Sequence, residues 1–156
     1  MTTKTPKNGT HTNHYDNAQI KYEENYKDGK LDGKWTYWYE NGQKWKDRNY
    51  KNGNKDGKQT YWYKNGQKWK DGNYKDGNKD GKWTVWYQNG QIKYESNYKD
   101  DKLNVKWTYW YENGQKWKDG NYKDGKKDGK ETWRFKNGQI ESEINYNNGK
   151  RYDFMG

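Results

Sequence analysis

The stretch TYWYENGQKWK, from Thr108 to Lys118, is repeated elsewhere in the chain. The same letters occupy residues 36–46, and TYWYKNGQKWK occupies residues 60–70. The asparagine before the turn recurs every 24 residues, at Asn17, Asn41, Asn65, Asn89, Asn113 and Asn137. A fixed period of this length is the signature of a repeat protein, in which each unit stacks on its neighbours.

The composition of the 156-residue chain excludes an ordinary aliphatic core. Only 26% of the residues are hydrophobic and 35% are charged, which normally indicates disorder. The 11 tryptophans and 17 tyrosines oppose that interpretation, because disordered chains are poor in aromatic residues and each such ring buries roughly 150–250 Å². The sequence therefore predicts a sheet held together by aromatic ladders rather than a two-layer sandwich.

The hairpin turn fixes which side chains share a face. Asn-Gly between two strand-like runs is a strong hairpin signal, and a type I′ turn centred on Asn41-Gly42 would place Trp38 opposite Trp45. The same count predicts the pairs Tyr39–Lys44, Tyr37–Lys46, Trp62–Trp69, Trp110–Trp117, Trp86–Lys93, Tyr87–Ile92 and Val85–Tyr94. The other face then collects Trp35, Tyr37, Tyr39 and Tyr50. Both faces of the predicted sheet are aromatic, and they are not equivalent.

The aromatic residues differ in how many repeats keep them at the equivalent position. Two positions are aromatic in every repeat, and we assign to a structural ladder Tyr39, Tyr63, Tyr87, Tyr111 and Phe135, together with Tyr50, Tyr74, Tyr98 and Tyr122. Two other positions keep tryptophan only in some repeats, as a binding surface would, and the candidate binding face comprises Trp38, Trp45, Trp62, Trp69, Trp86, Trp110 and Trp117. The structural alternative is that these indoles merely cover the second face of a thin sheet.

The fold class expected from these patterns is all-β. We expect an elongated, single-layer, twisted antiparallel sheet of about six stacked 24-residue hairpins. Residues 1–14 are polar and are predicted to form a flexible tail, residues 15–156 the repeat array, and residues from about 135 to 156 an atypical capping unit. In one connection Asp101 and Val105 replace glycines of the other repeats, which should strain the backbone.

The repeat unit resembles a known family. The pattern YKDGKKDGK followed by an aromatic strand and Asn-Gly resembles the MORN repeat, and NGQIKYESNYK at 89–99 looks most like the MORN variant of bacterial proteins labelled as antitoxin components. The resemblance covers about residues 15–156. It implies a single-layer sheet of hairpins with an aromatic groove and a role in protein association, with membrane lipid binding also proposed for MORN proteins. The exceptional tryptophan content and the KWK motif depart from the usual pattern.

The sequence offers no catalytic constellation, metal site or cofactor motif. Two serines and two histidines, without cysteine, do not assemble a nucleophile, a base and an orienting group. His11 and His14 lack further ligands nearby, and lysines flank the Asp-Gly turns and would oppose calcium. We therefore expect a protein that is not an enzyme.

Three hypotheses of function remain open. The leading one is a scaffold that binds a partner protein through the aromatic residues, in an antitoxin-like role, because Trp and Tyr dominate interface hot spots. The net charge of +10 supports a second, single-stranded nucleic acid or anionic lipid headgroups. The third is a ribbon that self-associates. The chain shows no apolar span and no secretory signal, so we expect a cytoplasmic location.

Overall fold

The computed structural model describes residues 6–152, and within that range it consists of strands and turns without a helix. No helix long and apolar enough to cross a membrane occurs in this described range. The contacts of the chain divide into two compact units, Met1–Asn78 and Lys79–Gly156, which are described separately. The prediction of an all-β fold made of antiparallel hairpin repeats is confirmed.

Each unit is an antiparallel sheet with strands in chain order. The first unit contains β1 (Gly9–His14), β2 (Ile20–Lys27), β3 (Lys30–Trp38), β4 (Lys44–Lys51), β5 (Asn54–Lys55), β6 (Gly57–Trp62) and β7 (Lys68–Lys75). From the boundary onward follow β8 (Asn78–Trp86), β9 (Ile92–Lys99), β10 (Lys102–Trp110), β11 (Lys116–Lys123), β12 (Lys126–Lys127), β13 (Gly129–Arg134), β14 (Ile140–Asn147) and β15 (Lys150–Tyr152). The two-residue strands β5 and β12 pair with β4 and β11 beside the longer strands β6 and β13.

The amino-terminal segment is more ordered than the sequence indicates. Residues Gly9–His14 form β1 and pair with β2, with Thr12 opposite Glu23. The prediction of a flexible tail over residues 1–14 is therefore wrong for residues 9–14, because this segment completes a hairpin. Residues 1–5, and residues 153–156 of the predicted cap, lie outside the described residues.

The Asn-Gly connection is not the predicted type I′ turn. Gly42 N–H donates to the Tyr39 carbonyl at 2.9 Å, and Tyr39 N–H donates to the Gln43 carbonyl at 2.8 Å. Gly42 has a φ of +81°, whereas Asn41 is not among the residues with positive φ. These bonds describe a three-residue loop in which a type I turn is followed by one left-handed glycine.

The type I′ turns occur at the other connection of the repeat. Asp28 and Gly29 both have positive φ, at 50° and 72°, and they join Lys27 to its partner Lys30. Asn52-Gly53 and Asp124-Gly125 repeat this geometry, while Asp100-Asp101 adopts it without a glycine. The loop whose length the sequence left open is therefore the tight two-residue turn.

Bonds between successive repeats stack one hairpin on the next. The hydroxyl of Tyr39 donates to the Trp62 carbonyl at 2.9 Å, and Tyr87 donates in the same way to the Trp110 carbonyl at 2.8 Å. The turn asparagines add a second bridge, since Asn41 Nδ2 donates to the Lys64 carbonyl at 3.1 Å. Each repeat thus satisfies backbone carbonyls of the following repeat.

Candidate functional site

A β-bulge in each hairpin determines where the predicted tryptophans lie. Tyr37 pairs with Lys46, but the next residue, Trp38, pairs with Lys44, so Trp45 is the extra residue of the bulge. The Trp45 ring contacts the rings of Tyr37 and Tyr39, with centroids 5.9 and 5.8 Å apart. The predicted pair Trp38–Trp45 is therefore wrong, and so is Tyr39–Lys44, because the loop and the bulge add residues to the connection.

The other repeats show the same correction. Trp62 pairs with Lys68 and Trp110 with Lys116, while Trp69 and Trp117 pack on tyrosines, so the pairs Trp62–Trp69 and Trp110–Trp117 are wrong. Trp86 pairs with Ile92, which rules out the predicted Trp86–Lys93 and Tyr87–Ile92 pairs. Lys93 lies over the Tyr87 ring instead, at 5.4 Å. The pairs Tyr37–Lys46 and Val85–Tyr94 agree with the prediction.

One face of each unit, which we name the threonine face, carries Thr36 and Trp38 in the first unit and Thr108 and Trp110 in the second. Thr36 is buried opposite Asp47, and Thr108 is buried between Glu95 and Asp119. Lysines pair with Asp47 and Glu95, and Arg134 pairs with Asp119. The Trp38, Trp62, Trp86 and Trp110 side chains are half-buried. Lys44 Nζ lies 5.8 Å from the Trp62 ring, so this lysine shares the face of the tryptophans. The candidate tryptophans on this face lie among charged side chains that already have partners.

The opposite face, which we name the aromatic face, carries Trp35, Tyr37 and Tyr50 in the first unit and Trp107, Tyr109 and Tyr122 in the second. It also receives Trp45, Trp69 and Trp117 from the bulges. The candidate tryptophans of the sequence are thus divided between the two faces.

In the first unit, cationic side chains fill the aromatic face. Lys46 Nζ lies 4.1 Å from the rings of both Tyr37 and Trp45. Burial, together with the nearby Arg48 charge, lowers the pKa of Lys46 to about 8, against a smaller opposing effect of Glu24. The Arg48 guanidinium lies between Trp35 and Tyr61, 5.4 and 5.3 Å from their rings.

The second unit has small residues where the first has long ones. Trp107 is paired with Ser96 on one side and Gly120 on the other, whereas Trp35 is paired with Glu24 and Arg48. A cavity of about 180 Å³ lies on this part of the aromatic face. It is lined by Tyr94, Ser96, Tyr98, Leu103, Trp107, Tyr109, Lys118, Tyr122, Lys127, Glu131 and Trp133. We name it the unit 2 cavity.

A buried carboxylate lines the unit 2 cavity. Glu131 is only 2% exposed; Trp133 Nε1 donates to one of its oxygens at 2.6 Å, and Lys127 Nζ lies 2.6 Å from the other. Burial lowers the pKa of Lys127, but the hydrogen bond and the charge of Glu131 outweigh it, so the pKa is raised overall. This ion pair is therefore a fixed part of the cavity lining.

A second lysine in the cavity has rings rather than a carboxylate as neighbours. Lys118 Nζ lies 4.4 to 5.6 Å from the rings of Tyr109, Trp107, Trp117 and Trp133. Burial lowers the pKa of Lys118, and Lys127 adds to that effect while Glu131 opposes it. Within residues 6–152, Lys118 makes no ion pair, so its charge is available to a ligand.

Two buried donor groups of the cavity lining also lack hydrogen-bond partners among residues 6–152. They are the indole Nε1 of Trp107 and the hydroxyl of Ser96. Burial raises the pKa of the Tyr94 phenol, and the Ser96 hydroxyl opposes that rise, yet no hydrogen bond with good geometry joins the two side chains. The cavity therefore combines aromatic walls, one ammonium group without an ion-pair partner in this part of the chain and unused hydrogen-bond donors, which are the groups that bind a ligand.

The described residues do not form a metal site. No group of three or more His, Asp or Glu side chains in this part of the chain is arranged to hold a metal ion. Sequence reasoning missed Ser96, Lys118, Gly120 and Glu131. Their signal lay in the repeat itself, because they stand at the repeat positions of Glu24, Trp35 and Lys46, which vary from repeat to repeat.

Stacked hairpins of fixed period, bridged by tyrosine and asparagine side chains, define a β-repeat protein. The chain belongs to the MORN repeat variant family, whose profile matches residues 31–52, 55–76, 79–100, 103–124 and 127–148. A comparison with curated proteins finds no match. MORN repeats are generally non-catalytic, so the family places this chain among repeat scaffolds.

Proposed function

We propose that this chain is a non-enzymatic scaffold that binds a partner protein through the aromatic face of its second unit. The observation that carries the proposal is the unit 2 cavity, which is lined by Ser96 at the position that Glu24 occupies in the first unit. Rings of Trp and Tyr with a polar group beside them are the side chains that most often dominate protein interfaces.

This choice of face departs from the surface that the sequence favoured. Trp110 and its equivalents lie beside threonines and neutralised carboxylates, whereas Trp133 and Tyr109 border a cavity. A partner gains most where it completes unused hydrogen bonds and covers rings that are already immobile. The unit 2 cavity offers the unpaired Trp107 Nε1 and Ser96 hydroxyl, and its rings pack on one another.

The test compares one tryptophan on each face of the same unit. Proteins captured from the native host by the wild-type chain are identified, purified and rebound to Trp133→Ala and Trp110→Ala. We expect Trp133→Ala to weaken binding by at least about tenfold, as a hot-spot residue does, and Trp110→Ala to leave it within about twofold. Equal loss in both variants, or loss only in Trp110→Ala, would contradict the proposal, provided that thermal unfolding shows both variants folded.

An antitoxin-like role is the specific form of this proposal that the family resemblance suggests. It predicts that the captured partner inhibits growth when expressed alone and that co-expression of this chain restores growth. Restoration by Trp133→Ala to the wild-type level would contradict a neutralising role for the aromatic face.

Single-stranded nucleic acid is a second candidate, because Lys118 shares the aromatic face with Trp107 and Trp117. Against it, lysine ammonium groups already lie over several of the ring faces on which bases would stack. Titration with a thymidine oligomer at rising salt decides between the two, since nucleic-acid affinity falls steeply with salt. Vesicles with anionic headgroups and light scattering across concentration test the lipid and self-association alternatives.

A further inference from the structure

We propose that the unit 2 cavity receives a carboxylate of an acidic partner peptide, bound by the indole N–H of Trp107 and the ammonium of Lys118. This inference rests on the proposed function and names the chemistry of the partner at its contact point. The ligand is an Asp or Glu side chain or a terminal carboxylate.

Two buried donors at the unit 2 cavity have no acceptor within the described residues. Trp107 is 7% exposed and its Nε1, which can only donate, finds no acceptor in the described part of the chain. Ser96 is 1% exposed and its hydroxyl is likewise unpaired. Buried donors without acceptors are costly, so a ligand that supplies acceptor oxygens is favoured over one that supplies more donors.

The charges that line the unit 2 cavity favour an anionic ligand. Lys118, Lys127 and Glu131 leave the cavity with one net positive charge, and both oxygens of Glu131 are already engaged by Lys127 and Trp133. Lys118 is the member of this group without a carboxylate, and its partly buried ammonium group would gain one from the ligand. The net charge of +10 for the whole chain would also favour the approach of an acidic partner.

The walls of the unit 2 cavity are formed by aromatic rings. The Tyr94 and Tyr109 rings stack with centroids 5.0 Å apart and planes 15° from parallel, and Trp133 and Tyr122 also line the cavity. Such rigid rings would pack against the methylene groups of a glutamate side chain while its carboxylate reaches Lys118.

A cationic ligand is the main alternative, because Arg48 lies between Trp35 and Tyr61 in the first unit. The corresponding position in the second unit is Gly120, which pairs with Trp107 as Arg48 pairs with Trp35. There, however, a Cβ would lie only 3.0 Å from Trp107 Nε1, so the indole already occupies the space where such a side chain begins. Lys118 and Lys127 would also repel a cation.

The experiment is calorimetric titration of the full chain with three peptides, acetyl-Tyr-Glu-Tyr-amide and its counterparts with Gln or Lys in the middle. We expect the Glu peptide to bind at least about tenfold more tightly than the Gln peptide, as a charge-assisted hydrogen bond implies. Lys118→Met should remove most of this difference. Lys116→Met, which removes the same charge from the threonine face, should preserve it.

A second variant isolates the indole donor. Trp107→Phe keeps an aromatic ring but removes the N–H, and we expect it to weaken the Glu peptide and leave the Gln peptide nearly unchanged. In a nitrogen–proton NMR spectrum, the indole signal that this variant deletes should shift when the wild-type chain is titrated with the Glu peptide. An unshifted signal would overturn the role of Trp107.

The remaining outcomes are decisive. Equal affinity for the three peptides, tighter binding of the Lys peptide, absence of heat up to millimolar peptide, or displacement of the Glu peptide by a thymidine oligomer of higher affinity would overturn the proposal. If the peptide titrations fail but Trp133→Ala still abolishes capture of the partner protein, the proposed function stands and the partner contacts the aromatic face by a group other than a carboxylate. Carboxylate binding without any partner that depends on Trp133 would instead refute the proposed function.

Discussion

Val105 holds a backbone conformation that favours glycine. Its φ is 66°, and the equivalent position is glycine in other repeats, with φ of 92° at Gly33 and 73° at Gly81. A β-branched residue in this region crowds its own carbonyl. The strain predicted from the missing glycine is therefore present, and the 59% exposed side chain contributes little packing to offset it.

Val105→Gly should raise the free energy of unfolding by about 1–2 kcal/mol, because it relieves the left-handed strain. Chemical denaturation of the full chain measures this difference. The matched control is Gly81→Val, whose Cβ would meet no atom within 4 Å, so only backbone strain is added. A stabilisation by Gly81→Val, or no change on Val105→Gly, would contradict the argument.

Lys46 should titrate far below an ordinary lysine. Carbon NMR of its ε position is expected to give a pKa of about 8, and Arg48→Gln should move that pKa upward by removing a neighbouring positive charge. Since the pKa is lower in the folded state, the unfolded state binds more protons above about pH 8, and stability rises with pH from there.

Measurements of stability between pH 7 and 9.5 test that sign. Burial and the hydrogen bond to Glu24 raise the pKa of Tyr37, so at higher pH this tyrosine makes stability fall as pH rises. The measurements stop at pH 9.5 to stay below that range. Lys46→Met should flatten the rise, and an unchanged slope in this variant would assign the rise to another group.

The turns show what local sequence rules capture and what they miss. Asn-Gly correctly predicted a hairpin, but the type I′ rule failed at Asn41 because this asparagine is used in another way. Its Oδ1 accepts from Gln43 N–H and its Nδ2 reaches the Lys64 carbonyl of the next repeat. A rule about adjacent residues cannot detect a bond between residues 23 positions apart. The same rule also failed to predict the bulge at Trp45.

The tyrosine bridge gives a stability prediction for the hairpin stack. Tyr87→Phe removes the hydroxyl that donates to the Trp110 carbonyl and should lower the free energy of unfolding by about 1 kcal/mol. Phe135→Tyr is the control, because it adds a hydroxyl at the equivalent position of the last repeat of the family match. The Phe135 side chain is 48% exposed, so we expect the added hydroxyl to change stability little. Equal changes in the free energy of unfolding for the two substitutions would show that the tyrosine hydrogen bond does not stabilise the hairpin stack.

For the molecule as a whole, the period and composition sufficed to predict an all-β repeat fold. The candidate site was not predictable in the same way, because periodicity identifies what repeats share. The unit 2 cavity depends on what they do not share, namely Ser96, Gly120 and Glu131 in place of longer or different side chains.

Like charges face each other across the type I′ turns, and this predicts how the chain responds to salt. Lys27 pairs with Lys30, Lys99 with Lys102 and Lys123 with Lys126. Replacing Lys27, Lys99 and Lys123 by Glu lowers the net charge from +10 to +4, since each reversal changes it by two.

The triple variant should melt at a higher temperature in low salt, and its melting temperature should depend less on sodium chloride than that of the wild type. Calorimetry between 20 and 300 mM salt measures both effects. The control replaces the same three lysines by Gln, which should give about half the change. A steeper salt dependence in the Glu variant would contradict the argument.

The tyrosine and asparagine bridges all run from one repeat to the repeat that follows it. Every bridge therefore spans one period, and excision of 24 residues within a unit would bring an equivalent donor to an equivalent acceptor. Insertion or removal of whole 24-residue repeats would then lengthen or shorten the protein without creating a foreign junction. The same stereochemistry that stacks the hairpins makes repeat number an inheritable variable on which selection can act.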